Sequence, residues 1–192
     1  MLKERSGMAQ HARRRFYRLD ASGISLVAVF SALMAVTTMY AVPLPFGGLT
    51  HFGNTVMWIA SILFGGVIGG LAGGIGGMIA DLLLDPIWAP FTFFCKLASG
   101  LACGFASRGI TSINRMAVVR IVAAVLVWAI ANLLAYAPVY VLLLGSRAAL
   151  LWLGRFFLPG PALVTYVATP IISIAVARAD PRILAYRGSK KR

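Results

Sequence analysis

The sequence predicts an all-α polytopic membrane protein with six transmembrane helices and both termini in the cytoplasm. Two observations carry the class: an apolar fraction of 60% against a charged fraction of 12%, and a mean hydropathy of +0.87. A soluble domain needs far more polar surface to cover its core. A third observation carries the topology: nearly every Lys and Arg lies between the apolar runs or beyond them. The 192 residues accommodate about six spans of roughly 20 residues with short connections, and no soluble domain besides. The chain divides into a basic leader at 1–23, a membrane bundle at 24–177 and a basic tail at 178–192.

The net charge of +13 has the placement of positive-inside anchors, not of a nucleic-acid surface. Arg13-Arg14-Arg15 and Lys190-Lys191-Arg192 are positioned to meet anionic lipid headgroups. The leader from His11 to Leu19, with Phe16 and Tyr17 among its arginines, reads as an interfacial anchor. The apolar run that follows is too long for a signal-peptide core and reads as a retained first helix.

The spans fall at 24–42, 54–69, 71–85, 91–107, 121–144 and 157–177. Six Lys/Arg precede the first span, none occur in 43–53 or 85–90, three lie at 108–120, two at 145–156, and six follow from Arg178. This alternation places the rich loops and both ends inside. Residues 54–85 form one apolar stretch, which as a single helix runs roughly 46 Å, well past a hydrocarbon core of about 30 Å. Its middle holds Gly65, Gly66, Gly69, Gly70, Gly73, Gly74, Gly76 and Gly77. Glycine this dense permits a reversal and close helix approach, so the stretch is divided in two. The spacing at 65, 69, 73 and 77 also fits helix-packing contacts alone. A phosphate loop is not indicated, since no Gly-Lys-Ser/Thr follows.

Polar residues inside the spans are few. Asp81 and Asp85 close the third span and Lys96 opens the fourth, all toward the outer side; an Asp81–Lys96 pair would reduce the cost of burial. The fifth span carries Trp128, Asn132, Tyr136 and Tyr140 at intervals of four, which keeps them near one face. Thr165, Thr169 and Ser173 repeat that interval in the sixth span, with Tyr166 beside Thr165. Aromatic planes with a few hydrogen-bonding groups suit a flat, polar-edged small molecule. The tyrosines equally fit an interface belt, and the hydroxyls equally fit bonds to their own backbone. His51 and Asn54 bring polar groups to the end of the uncharged, Pro- and Gly-containing loop 43–53, which either covers an outward cavity or simply connects. Candidate ligand contacts are therefore Lys96, Asn132 and Tyr136, then His51, Asn54, Asp81, Tyr140 and Thr165. Cys95 and Cys103, eight residues apart on one helix, are too far apart to bridge and complete no metal site. In the first span Ala28 and Ala32 make a small-xxx-small step that Ala35 extends, a patch another helix can approach closely.

Together these pieces resemble the substrate-binding S component of energy-coupling-factor (ECF) vitamin transporters. The run from Gly69 to Leu82, ending Ala80-Asp81-Leu82, is similar to the glycine-rich helix of the branch associated with riboflavin. Pro90-Phe91-Thr92, with Lys96 four residues on and then Gly100 and Gly104, resembles that branch's Pro-x-Thr-x-x-x-Lys segment. The Ala28-x-x-x-Ala32 step is similar to the family's docking motif. The resemblance implies a six-helix component in a prokaryotic plasma membrane that captures a vitamin-like small molecule on the outer side. It implies partners too: a transmembrane T component and two cytoplasmic ATPases, which agrees with the chain having no ATP-binding motif of its own. Riboflavin heads the substrates, with pyridoxine-like molecules and thiamine precursors open, because Thr50-His51-Phe52-Gly53-Asn54 replaces an Asn-Leu-Gly-Asp-like segment of relatives. No cofactor and no catalysis are expected. Two rivals stand beside this reading: a stand-alone transporter, and a membrane enzyme, since Gly77, Asp81 and Asp85 resemble half the metal motif of CDP-alcohol phosphotransferases. The other half of that motif is absent.

Overall fold

The computed structural model describes residues 19–40, 42–43, 49–147, 149–150 and 161–184. Six principal helices account for most of them: α1 (Ala21–Met39), α2 (Gly53–Leu63), α3 (Gly66–Leu84), α4 (Ala89–Ala106), α5 (Arg115–Leu144) and α6 (Pro161–Ala179). A 3₁₀ turn at Pro86–Trp88 links α3 to α4. A two-residue antiparallel ladder pairs β1 (Val42–Pro43) with β2 (Leu49–Thr50) between α1 and α2. Four helical stretches, Ala21–Met39, Gly66–Leu84, Pro86–Ala106 and Arg115–Leu144, are long and apolar enough to cross a membrane.

Side-chain caps explain two of the boundary differences from the hydropathy reading. α1 begins at Ala21, because the Asp20 carboxylate accepts from the Gly23 amide at 2.8 Å and so satisfies one of the helix's first free donors. Likewise Asn114 accepts from the Ala117 amide at 2.9 Å and starts α5 six residues before the apolar run. Arg115 and Arg120 thus belong to the helix, not to the preceding loop. At 30 residues, α5 is about 45 Å long, which carries its first turns beyond an apolar layer of about 30 Å.

The largest correction concerns the second and third helices. The reversal expected near residue 70 lies at Phe64–Gly65, and Gly65 has φ +109°, a backbone region that L-residues with a Cβ avoid. One glycine makes the turn. The remaining glycines lie inside α3, where they set helix separations. A Cβ on Gly70 would stand 2.8 Å from the Leu97 carbonyl oxygen, and one on Gly66 would stand 2.9 Å from that of Leu101. Gly74 faces Phe93 in the same way, so α3 and α4 run antiparallel with backbones nearly touching. On another side of α3, Gly73 sits under Met57 and Gly76 under Ser31 and Met34, which brings α2 and α1 against the same helix. α3 is the hub of the bundle. Gly104→Ala drives a methyl onto the Gly66 backbone, where neither chain has a side chain to yield. We expect it to destabilise the bundle by about 3 kcal/mol, read as a lower melting midpoint in detergent.

Met57 lies against Gly73 and Ser61 against Gly69, so α2 also runs antiparallel to α3. Its 11 residues extend about 16 Å, and the last turns of α3 therefore run past the point where α2 begins. There β2 lies against α6 and Gly53 is close to Thr38 of α1. At the opposite end Ile110, Ala117, Ala177 and Leu184 are buried together, and the Arg120 guanidinium donates to the Arg108 carbonyl at 3.0 Å. Here Asp180 and Arg182 form an exposed ion pair at 3.0 Å, and the Asp180 carboxyl is held below its usual range by that hydrogen bonding.

Candidate binding site

The polar groups converge where α3 ends and α4 begins, between α2, α4 and α5. Lys96 is the centre. It lies seven residues into α4, about 10 Å from the helix start, and is only 7% exposed. Its ammonium donates to Asn54 Oδ1 at 2.5 Å. It also stands 5.6 Å from the ring centroid of Trp128 and 5.6 Å from that of Tyr136. A charge at this depth costs about 2.5–3.5 kcal/mol on insertion scales. One charge-assisted hydrogen bond and two aromatic faces offset much of that cost.

The expected Asp81–Lys96 ion pair is not formed at bonding distance. Thr92 instead lies beside the Asp81 carboxylate, and its hydroxyl accepts from Tyr136 Oη at 3.1 Å. Thr92 follows Ala89 by three residues and precedes Lys96 by four, so it and Lys96 share one face of α4. That face meets the Trp128–Asn132–Tyr136 face of α5. Cys95 donates from its thiol to the Ala135 carbonyl at 3.4 Å and fixes the same contact; both cysteines are buried, and neither is in a disulfide.

The interval of four in α5 does bring Trp128, Asn132 and Tyr136 to one buried face. Asn132 is 4% exposed, and its Oδ1 has no hydrogen-bond partner among the described residues. The indole nitrogens of Trp58 and Trp128 and the hydroxyls of Thr55, Thr169 and Ser173 share that condition. Leaving a buried polar group unpaired costs roughly 1–3 kcal/mol, and such groups gather where a polar ligand is to be met.

Trp58 is the principal residue the sequence reading missed. It packs edge-on against Trp128 with centroids 4.3 Å apart and lies parallel to Tyr166 at 5.6 Å, joining α5 to α6. The signal was present, since Asn54 and Trp58 are four residues apart as the α5 residues are. Thr92 was missed as a contact for a different reason: its role comes from Tyr136, 44 residues away. Tyr140 lies further out, its ring 4.7 Å from Trp88, at the rim. Thr165 falls in α6, and its side chain is outside the described residues. Leader residues 1–18, tail residues 185–192 and loop residues 41 and 44–48 are also outside them.

His51 enters from the connection ahead of α2. Its Nδ1 has no partner among the described residues. Burial, aided by the Lys96 charge, lowers its pKa from 6.5 to about 4. The folded chain thus holds His51 neutral, whereas the unfolded chain takes up a proton near pH 6.5. Stability from this group is complete above about pH 6.5 and is lost as pH falls toward 4. We expect the melting midpoint at pH 5 to lie roughly 5 °C below that at pH 7, with His51→Gln removing most of that difference.

On α1, Ala28 and Ala32 are exposed whereas Ala35 is 7% exposed and covered by the chain's own helices. The small-residue patch offered outward narrows to Ala28 and Ala32.

Several long apolar helices, packed closely through glycine, define a multi-pass membrane protein. The comparisons are specific about which. The family described as "ECF-type riboflavin transporter, S component" matches residues 18–159, and the chain belongs to that family. It is a transporter family, not an enzyme family. The curated proteins give no match.

Proposed function

We propose that the chain captures riboflavin from the outer side of the membrane, in the Lys96–Asn132–Tyr136 cluster, for ATP-driven uptake. All six helices then form one bundle crossing the membrane, with α2 completed by its connection and both termini in the cytoplasm, as the loop charges favour. A transmembrane T component docks at the Ala28–Ala32 face of α1, and two cytoplasmic ATPases drive the transfer, as the family implies.

The observation that carries this reading is the pattern of donors and acceptors around Lys96. The Lys96 ammonium and the indole N–H groups of Trp58 and Trp128 offer donors, and Asn132 Oδ1 offers an unpaired acceptor among them. An isoalloxazine ring presents the complement: a flat apolar body and an imide edge with an N–H between two carbonyls. Pyridoxine has no such edge, and a thiamine precursor has no tricyclic body for two tryptophans to meet. The tyrosine and indole rings then serve as walls while Lys96 and Asn132 read the edge.

Uptake of labelled riboflavin by proteoliposomes holding this chain, a T component and the ATPases tests the proposal. ATP-dependent accumulation is expected, with none when the T component is omitted. Accumulation by the chain alone, without ATP, identifies a stand-alone transporter instead.

A further inference from the structure

We propose that Gly77 is a positioning residue for the site, acting through the methyl group of Thr92. This inference rests on the reading of the Lys96 cluster as the riboflavin site. α3 contributes a row of close glycines, but they do not all meet the same kind of neighbour. Those at 66, 70 and 74 face α4 backbone carbonyls, and Gly76 faces a carbonyl of α1. They determine how near the helices lie. Gly77 differs: a Cβ there would stand 2.8 Å from Thr92 Cγ2, 3.6 Å from Lys96 Cγ and 3.8 Å from Met34 Cε. Gly73 also meets side-chain atoms only, those of Met57, but at Gly77 two of the three neighbours belong to the site.

Thr92 has little room to move aside. It is buried in the first turns of α4, and β-branched residues are held to few χ1 wells in a helix. Its hydroxyl accepts from Tyr136, so any rotation that carries Cγ2 away from α3 also carries Oγ1 away from Tyr136. The bare Cα at 77 thus holds Thr92 in the rotamer that anchors the Tyr136 ring. That ring is one of the two over the Lys96 ammonium, and the Lys96 stem is in ordinary contact with the same position on α3. A methyl at 77 is transmitted to the ligand groups without touching the ligand.

A double-mutant cycle tests this, with riboflavin affinity measured on the purified full chain for wild type, Gly77→Ala, Thr92→Ser and the double variant. Thr92→Ser keeps the hydroxyl and deletes the methyl that the new Cβ meets. Gly77→Ala is expected to weaken binding about tenfold in the wild-type background and less than about threefold in the Thr92→Ser background. Gly70→Ala, which meets backbone, serves as the structural comparison and is expected to lower the melting midpoint with no relief from Thr92→Ser. Equal penalties for Gly77→Ala in the two backgrounds, or no penalty in either, overturn the inference while wild-type binding preserves the functional reading. A wild-type chain that binds no riboflavin overturns both. Should Gly77→Ala alone fail to fold, a folded double variant binding within about threefold of Thr92→Ser supports the inference, and failure of both to fold overturns it.

Discussion

Replacing Lys96 with methionine is expected to weaken riboflavin binding about a hundredfold. The stem and its packing against α3 survive this change, so what is lost is the ammonium. Hydrogen bonds from a charged donor contribute about 1.5–3 kcal/mol, and the low-dielectric surroundings of a 7% exposed group favour the upper part of that range. The ligand-free protein should respond differently. Removing a buried charge is often neutral or stabilising when an apolar group of similar volume takes its place, although Asn54 Oδ1 then loses its donor. Isothermal titration and thermal melting of the same preparation separate these effects. Weakened binding with a nearly unchanged melting midpoint is the expected pair, and undiminished affinity would remove Lys96 from the site.

Asn132→Leu is expected to move stability and binding in opposite directions. The Asn132 Oδ1 atom is buried and unpaired among the described residues, so an apolar side chain of similar shape relieves roughly 1–3 kcal/mol of desolvation cost. The ligand-free melting midpoint should rise. Riboflavin affinity should fall about tenfold to a hundredfold, since the acceptor for the imide N–H is gone. Sites that trade stability for function commonly behave in this way. A variant that lost both stability and binding would instead make Asn132 an ordinary structural residue.

The sequence displayed the α5 stripe clearly, because a helix converts an interval of four into one face and hydropathy marks Asn132 as an anomaly there. It also displayed Lys96 and the outward step at Ala28 and Ala32. Hydropathy could not place the turn between α2 and α3. All eight glycines from 65 to 77 look alike in composition, and only backbone conformation distinguishes Gly65, at φ +109°, from neighbours that pack against α1, α2 and α4. The Asp81–Lys96 pair followed from charge and proximity along the chain, but Thr92 from the next helix lies beside Asp81 and Asn54 from α2 takes the Lys96 ammonium. Trp58 was obscured because it lies in a uniformly apolar run, where hydropathy does not mark which face of α2 turns toward α5 and α6. Ala35 continues a small-residue pattern, yet the same turn of α1 places it inward beside Met34. Patterns within one helix were legible. Contacts made by two helices at once were not.

Titration of the purified full-length chain with riboflavin, followed by quenching of flavin fluorescence, tests the central claim most directly. Flavin held beside Trp128 and Tyr136 should be quenched and should saturate at one molecule per chain, with Lys96→Met and Asn132→Leu each shifting the curve to weaker binding. A titration showing no saturable quenching, or identical curves for wild type and both variants, would contradict the assignment of this cluster as the riboflavin site.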